Sequence, residues 1–165
     1  MPRVYVSIGS NIDRVENIRG AIRELRARFG AVAHSAVYES PADGFDGENF
    51  YNLVAAFDAD EPIEKVRAAL NDIEAAHGRV RTADRFGPRT LDVDILLYGD
   101  LVRHDDRFDI PRGEITECAY VLRPLAELAP EARHPETGAR FTELWRDFNV
   151  DDQALWTVTP DPLAL

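Results

Sequence analysis

The apolar residues of this chain switch spacing from two to three-and-four and back, twice, before residue 98. Val4, Val6 and Ile8 alternate with Tyr5 and Ser7, the period of a strand. Val15, Ile18, Ile22, Leu25 and Phe29 recur at steps of three and four and give a helix one apolar face, with Gly30 where a C-cap belongs. Residues 32–38 read as a second strand and residues 50–57 as a third. Pro62 suits the first turn of a second helix, whose buried stripe is Ile63, Val66, Leu70 and Ile73. Leu91, Val93, Ile95 and Leu97 then alternate as a fourth strand on one common face. The order βαββαβ predicts an α+β, ferredoxin-like sandwich. Residues 99–118 form a variable stretch, and extra C-terminal helices are expected at 119–129 and near Phe141–Trp145. The tail from about Thr157, with Pro160 and Pro162, is expected to fray.

The chain has 165 residues, so the default expectation is a single domain over 1–165. Nineteen basic residues against 30 acidic give a net charge of −11, which argues against nucleic acid or an anionic membrane surface as the main partner. No run of about 18 uncharged apolar residues suggests a membrane span. The first strand begins at once after Met1, with no apolar signal core before it. Cys118 is the only cysteine, so a reducing, cytoplasmic setting is the simplest expectation.

The chemistry concentrates in the segment from Arg85 to Leu97. Residues two apart on a strand share a face, so Asp92 and Asp94 point together, their Cα atoms roughly 6–7 Å apart. Two hard oxygen donors at that spacing suit Mg²⁺, which keeps several waters and completes its shell with phosphate. A bare Asp-x-Asp is more simply a pair of solvated carboxylates. Arg79, Arg81, Arg85 and Arg89 lie immediately upstream against Asp84 alone, a local +3 within an acidic protein. Metal and guanidinium cations converging on one place is what phosphoryl transfer requires. Arginine's planar fork also bonds phosphate in bidentate fashion. Gly78, Gly87 and Pro88 suggest a loop able to close over a nucleotide. Neither a P-loop nor a Gly-x-Gly-x-x-Gly fingerprint is present. Phe50 and Asn52 share a strand face, where a ring beside an amide can stack on a flat heterocycle and read its edge; a core Phe and a turn-capping Asn are the plainer alternative. The four histidines stand in no metal-ligand spacing, and Trp145 and Trp156 read as packing residues.

Ile8-Gly9-Ser10-Asn11, Tyr38 with Ser40-Pro41, the Asn52 strand, Gly78-Arg79-Val80-Arg81, Arg85 through Leu97, and Leu122 through Pro130 together resemble the 6-hydroxymethyl-7,8-dihydropterin pyrophosphokinase family. The resemblance implies transfer of the β,γ-pyrophosphoryl unit of ATP to the hydroxymethyl group of a reduced pterin in folate biosynthesis, with AMP as the other product. It implies that Asp92 and Asp94 hold two Mg²⁺ ions, and that Arg81 and Arg89 contact the phosphates and stabilise transfer. Arg79, Arg85 and Phe86 fall on the same loop, mobile without ligand, and Asn71, Glu74 and Arg107 fall on the nucleotide side. Ser40, Pro41 and Gly44 line the pterin pocket. Phe50 and Tyr120 sandwich the pterin ring while Asn52 reads its edge. ATP and the reduced pterin are the implied small-molecule partners, and a monomer is the expected state.

Two positions depart from the pattern. The family commonly has His after the proline of Pro111, where this chain has Arg112, and Arg where this chain has Cys118. The departures motivate an alternative, a non-catalytic pterin- or nucleotide-binding homologue. They also suggest that Arg112 supplies part of the nucleotide binding that an arginine at 118 would otherwise provide.

Overall fold

The computed structural model describes residues 1–41, 48–78, 91–151 and 153–164. In chain order these form β1 (Arg3–Ser10), α1 (Arg14–Phe29), β2 (Ala33–His34), β3 (Tyr38–Ser40), β4 (Phe50–Asp58), α2 (Ile63–Ala76), β5 (Asp92–Tyr98), β6 (Arg103–His104), β7 (Asp109–Ile110), α3 (Glu114–Glu117), α4 (Ala119–Leu128), α5 (Phe141–Arg146) and β8 (Trp156–Thr157). The architecture is mixed, an antiparallel sheet with helices on both faces. Strand order in the sheet is β5-β1-β4-β3-β8, with β2 also paired to β4. β6 and β7 form a separate hairpin.

Alternation along β1 and β4 sends side chains to two cores. Val4, Val6, Ile8, Leu53, Ala55 and Phe57 pack under α1 and α2, beside Leu25, Val66 and Ile73. On the opposite face Val54 meets Leu122 and Leu125 of α4 and Phe141 of α5. Helix α1 stops at Gly30, whose φ of 85° lies where a Cβ is disfavoured. His77, at the end of α2, seats its ring over Gly20 of α1 and hydrogen-bonds Asn17 Oδ1 and Glu24 Oε2, each at 2.9 Å. Among the described residues no group of three or more His, Cys, Asp or Glu is placed to hold a metal.

Three expectations are corrected. Leu97 does not share a face with Val93 and Ile95. Tyr5 pairs with Leu97 while Val6 pairs with Ile95, so Leu96 is an extra residue in β5. A bulge reverses the alternation beyond it. Leu96 and Leu97 therefore both turn to the α4 core, and Tyr98 returns to the α1 side. The second strand is split into β2 and β3. Between them the Ser35 hydroxyl accepts the Val54 N–H at 3.0 Å, and the Ala36 N–H turns away to Glu127 Oε2 at 2.9 Å. The tail is not frayed through residue 164. β8 pairs with β3, the Val158 N–H reaches Val37 O at 2.9 Å, and Arg19 Nε donates to Pro162 O at 2.6 Å. No helix among the described residues is long and apolar enough to cross a membrane.

Candidate functional site

β5 opens on Asp92-Val93-Asp94. Val93 is buried against the α1 and α2 core, so the two carboxylates stand half-buried on the other face of the sheet. Register fixes their neighbours across two more strands. Gly9 of β1 lies opposite Asp92 on one side and Asn52 of β4 on the other, and Ser7 lies opposite Asp94 and Val54. Gly9 is needed for closeness: a Cβ there would meet Asn52 Oδ1 at 3.2 Å. The buried Asn52 amide donates to Ser40 Oγ at 2.8 Å.

Two cavities open over this row. The larger, of about 690 Å³, has Ser40, Pro41, Phe50 and Asn52 on its sheet wall and Glu114 and Tyr120 on its helical wall. Its volume falls within the range of small-ligand pockets. The smaller, of about 240 Å³, lies between α2 and the β6–β7 hairpin and takes Arg67, Asn71, Arg107 and Asp109 into its lining. Asp94 and Arg112 line both. The smaller cavity brings three arginines and two aspartates together, a more cationic lining than the acidity of the whole chain would suggest.

Arg112 is held where the cavities join. Its backbone N–H donates to Leu96 O at 3.0 Å, and its Nε donates to Glu114 Oε1 at 2.7 Å. Burial works against its charge, but Asp94 and Glu114 outweigh that and hold the guanidinium above its ordinary pKa. Tyr120 Oη donates to the other oxygen of Glu114 at 3.2 Å. Burial first, then the Glu114 charge, pushes the phenol up, so it remains neutral. Burial likewise pushes the Cys118 thiol up, and Arg112 lies near enough to oppose that shift.

The structure brings Ser40, Pro41, Phe50, Asn52 and Tyr120 together in one cavity and Asn71 and Arg107 in the other. Glu74 is placed differently. It is buried behind β5, is absent from the lining of both cavities, and accepts the Val93 N–H at 3.0 Å, which fixes the strand between the two aspartates. Arg79, Arg81, Arg85, Phe86, Arg89 and Gly44 lie outside the described residues. Sequence reasoning missed Arg67, Glu114 and Gln153. Arg67 stands four residues before Asn71 on α2, a spacing that places both on one helix face and offered a usable signal. Glu114 and Gln153 reach the larger cavity through tertiary contacts that no local period encodes.

A family model for 7,8-dihydro-6-hydroxymethylpterin-pyrophosphokinase matches residues 5–130. A curated 2-amino-4-hydroxy-6-hydroxymethyldihydropteridine pyrophosphokinase of Methylorubrum extorquens is 40% identical over 135 residues, covering 79% of this chain and 85% of the relative. The protein of the same name from Pseudomonas aeruginosa is 41% identical, covering 86% of this chain and 89% of the relative. Among solved structures, wild-type HPPK-DHPS of Plasmodium falciparum with SDX-DHP shares the fold at a TM-score of 0.67 and 13% identity. That likeness covers 88% of this chain, which spans only 43% of the solved chain.

Proposed function

The chain belongs to the 7,8-dihydro-6-hydroxymethylpterin-pyrophosphokinase family, and from that premise we propose that it moves the pyrophosphoryl group of ATP onto the hydroxymethyl oxygen of 6-hydroxymethyl-7,8-dihydropterin, releasing AMP, in folate biosynthesis. One observation carries this reading. A cavity lined by Phe50, Asn52 and Tyr120 and an arginine-lined cavity share Asp94 and Arg112, where acceptor hydroxyl and transferred phosphate would have to meet. In the larger cavity Phe50 and Tyr120 flank the pterin and the Asn52 amide, oriented by Ser40, reads its edge. In the smaller, Arg67, Asn71 and Arg107 hold the nucleotide; Arg81 and Arg89, outside the described residues, are proposed as phosphate contacts on the family resemblance alone.

Asp92 and Asp94 fit Mg²⁺. They are two carboxylates on one open face, without a third acidic, His or Cys ligand grouped with them among the described residues. That donor set leaves coordination positions for water and phosphate, as Mg²⁺ prefers, and not the closed cage of a structural metal. Two ions bound there would neutralise charge on the polyphosphate. The chain's own part is to present the acceptor hydroxyl beside the phosphates, keep Arg112 charged at the junction, and exclude water with the α3–α4 wall.

For the fold we propose the ferredoxin-like class over β1 to β5, supported by the order β5-β1-β4-β3, with α3, α4, α5 and β8 as additions. We propose one domain over 1–165, monomeric and cytosolic. The deciding experiment is an assay of purified protein with ATP, Mg²⁺ and the reduced pterin. AMP and pterin pyrophosphate in equal amounts are expected; ADP as product, or no pterin-dependent AMP, overturns the reading.

A further inference from the structure

The C-terminal segment lies beyond the family match, which ends at residue 130, yet it walls the larger cavity. Gln153 and Ala154 both line that cavity. Gln153 also holds the junction between α3 and α4. Its Oε1 accepts the Ala119 N–H at 2.7 Å, and its Nε2 donates to Glu117 O at 2.9 Å. The amide orientation is dictated by its partners, since one can only donate and the other only accept.

Those two bonds meet a local need. Cys118, between the helices, is extended at φ −121° and ψ 121°, and its side chain caps neither helix. The first amides of a helix have no partner within it, and here Gln153 supplies one from 34 residues away. The residue so capped, Ala119, is adjacent to Tyr120. The same segment is fastened at its other end to the opposite wall. Trp156 Nε1 donates to Glu39 Oε1 at 3.2 Å, and β8 pairs with β3, which ends at Ser40. Arg123 Nη1 reaches Leu155 O between the two anchors at 3.3 Å. Residues 153–157 thus form a strap from the Tyr120 wall to the Ser40 wall.

We infer that Gln153 is a positioning residue for the pterin pocket, setting the place of Tyr120 by bracketing the α3–α4 junction, and that the C-terminal strap fixes the width of that pocket. This rests on the assignment of the larger cavity to the pterin. Gln153 lines only that cavity, so its larger effect falls on the substrate held there, and an effect passed through Glu114 to Arg112, which lines both cavities, is expected to be the smaller.

The test compares wild type, Gln153→Ala and Gln153→Glu, measuring KM for each substrate, kcat and melting temperature. Gln153→Ala removes both bonds. Gln153→Glu keeps an acceptor for Ala119 but turns an oxygen toward Glu117 O. Each is expected to raise the pterin KM about tenfold, while the ATP KM stays within twofold. A loss of packing alone would move both substrates together. A pterin KM within twofold of wild type in either variant, or pterin and ATP KM rising by the same factor, overturns the inference. If Gln153→Ala does not fold, Gln153→Glu is judged by the same thresholds. A wild-type protein that turns over ATP without the pterin sinks the cavity assignment itself and is told apart by that control.

Discussion

Replacing Arg112 by Ala separates a structural arginine from a functional one. Its ion pair with Glu114 is about one-third exposed on both sides, at 34% and 35%. Pairs so open to water contribute at most about 1 kcal/mol to stability. For a chain of this size that is a fall in melting temperature of about 2–4 °C. The expected effect on turnover is larger. Arg112 lines both cavities beside Asp94, where phosphate charge would be transferred. A charge-assisted hydrogen bond to phosphate is worth about 1.5–3 kcal/mol, or roughly 10- to 100-fold in ATP KM or kcat. Its position beside Cys118 makes the compensation testable. A guanidinium placed at 118 would enter the same neighbourhood, where Arg112, Glu114 and Glu117 already bear on the thiol. Cys118→Arg added to Arg112→Ala should restore part of the activity, with the two changes non-additive. The assay is steady-state AMP release with each substrate varied in turn, beside a thermal melt. Both kinetic constants within twofold of wild type would refute the argument and leave Arg112 a surface ion pair. A melting temperature lowered by more than about 10 °C would show that the pair is mainly structural.

Asp92→Ala and Asp94→Ala should each lower kcat about 10³-fold or more while the melting temperature stays within a few degrees, because the carboxylates add little to either core; more than a tenth of wild-type turnover removes them as metal ligands. Gly9→Ala should raise the pterin KM several-fold and spare ATP, because its Cβ would stand 3.2 Å from Asn52 Oδ1 and push the edge-reading amide aside; equal effects on both substrates would contradict that. Hydrogen bonds to Glu136 and Asp109 raise the pKa of His104 in the folded chain. Its stabilisation is therefore complete below the unfolded value near 6.5 and lost as pH rises through the raised one. The stability gap between wild type and His104→Asn should be widest below pH 6 and closed in alkaline buffer, as read by urea melts across pH, and a gap that widens with pH would reverse the sign.

The sequence by itself determined what depends on neighbours along the chain. The switch between periods two and three-and-four placed both long helices and the long strands to within a residue or two, because a side chain's facing is set locally. The same rule put Asp92 and Asp94 on one face of β5, and the residue types marked them as donors for a hard cation. Tertiary structure decided what depends on pairing partners. The alternation of β5 broke at Leu96 because β1 takes one residue fewer there, a fact of register invisible in either strand alone. Glu74 is a carboxylate whose burial behind the strand, where it accepts the Val93 N–H, no local period announces. The tail looked frayed because Pro160 and Pro162 forbid regular structure locally, but β3 offered a sheet edge and the α3–α4 junction offered uncapped backbone groups. Those unsatisfied groups, 34 residues from Gln153 in sequence, are why a segment with no motif of its own becomes a wall of the site.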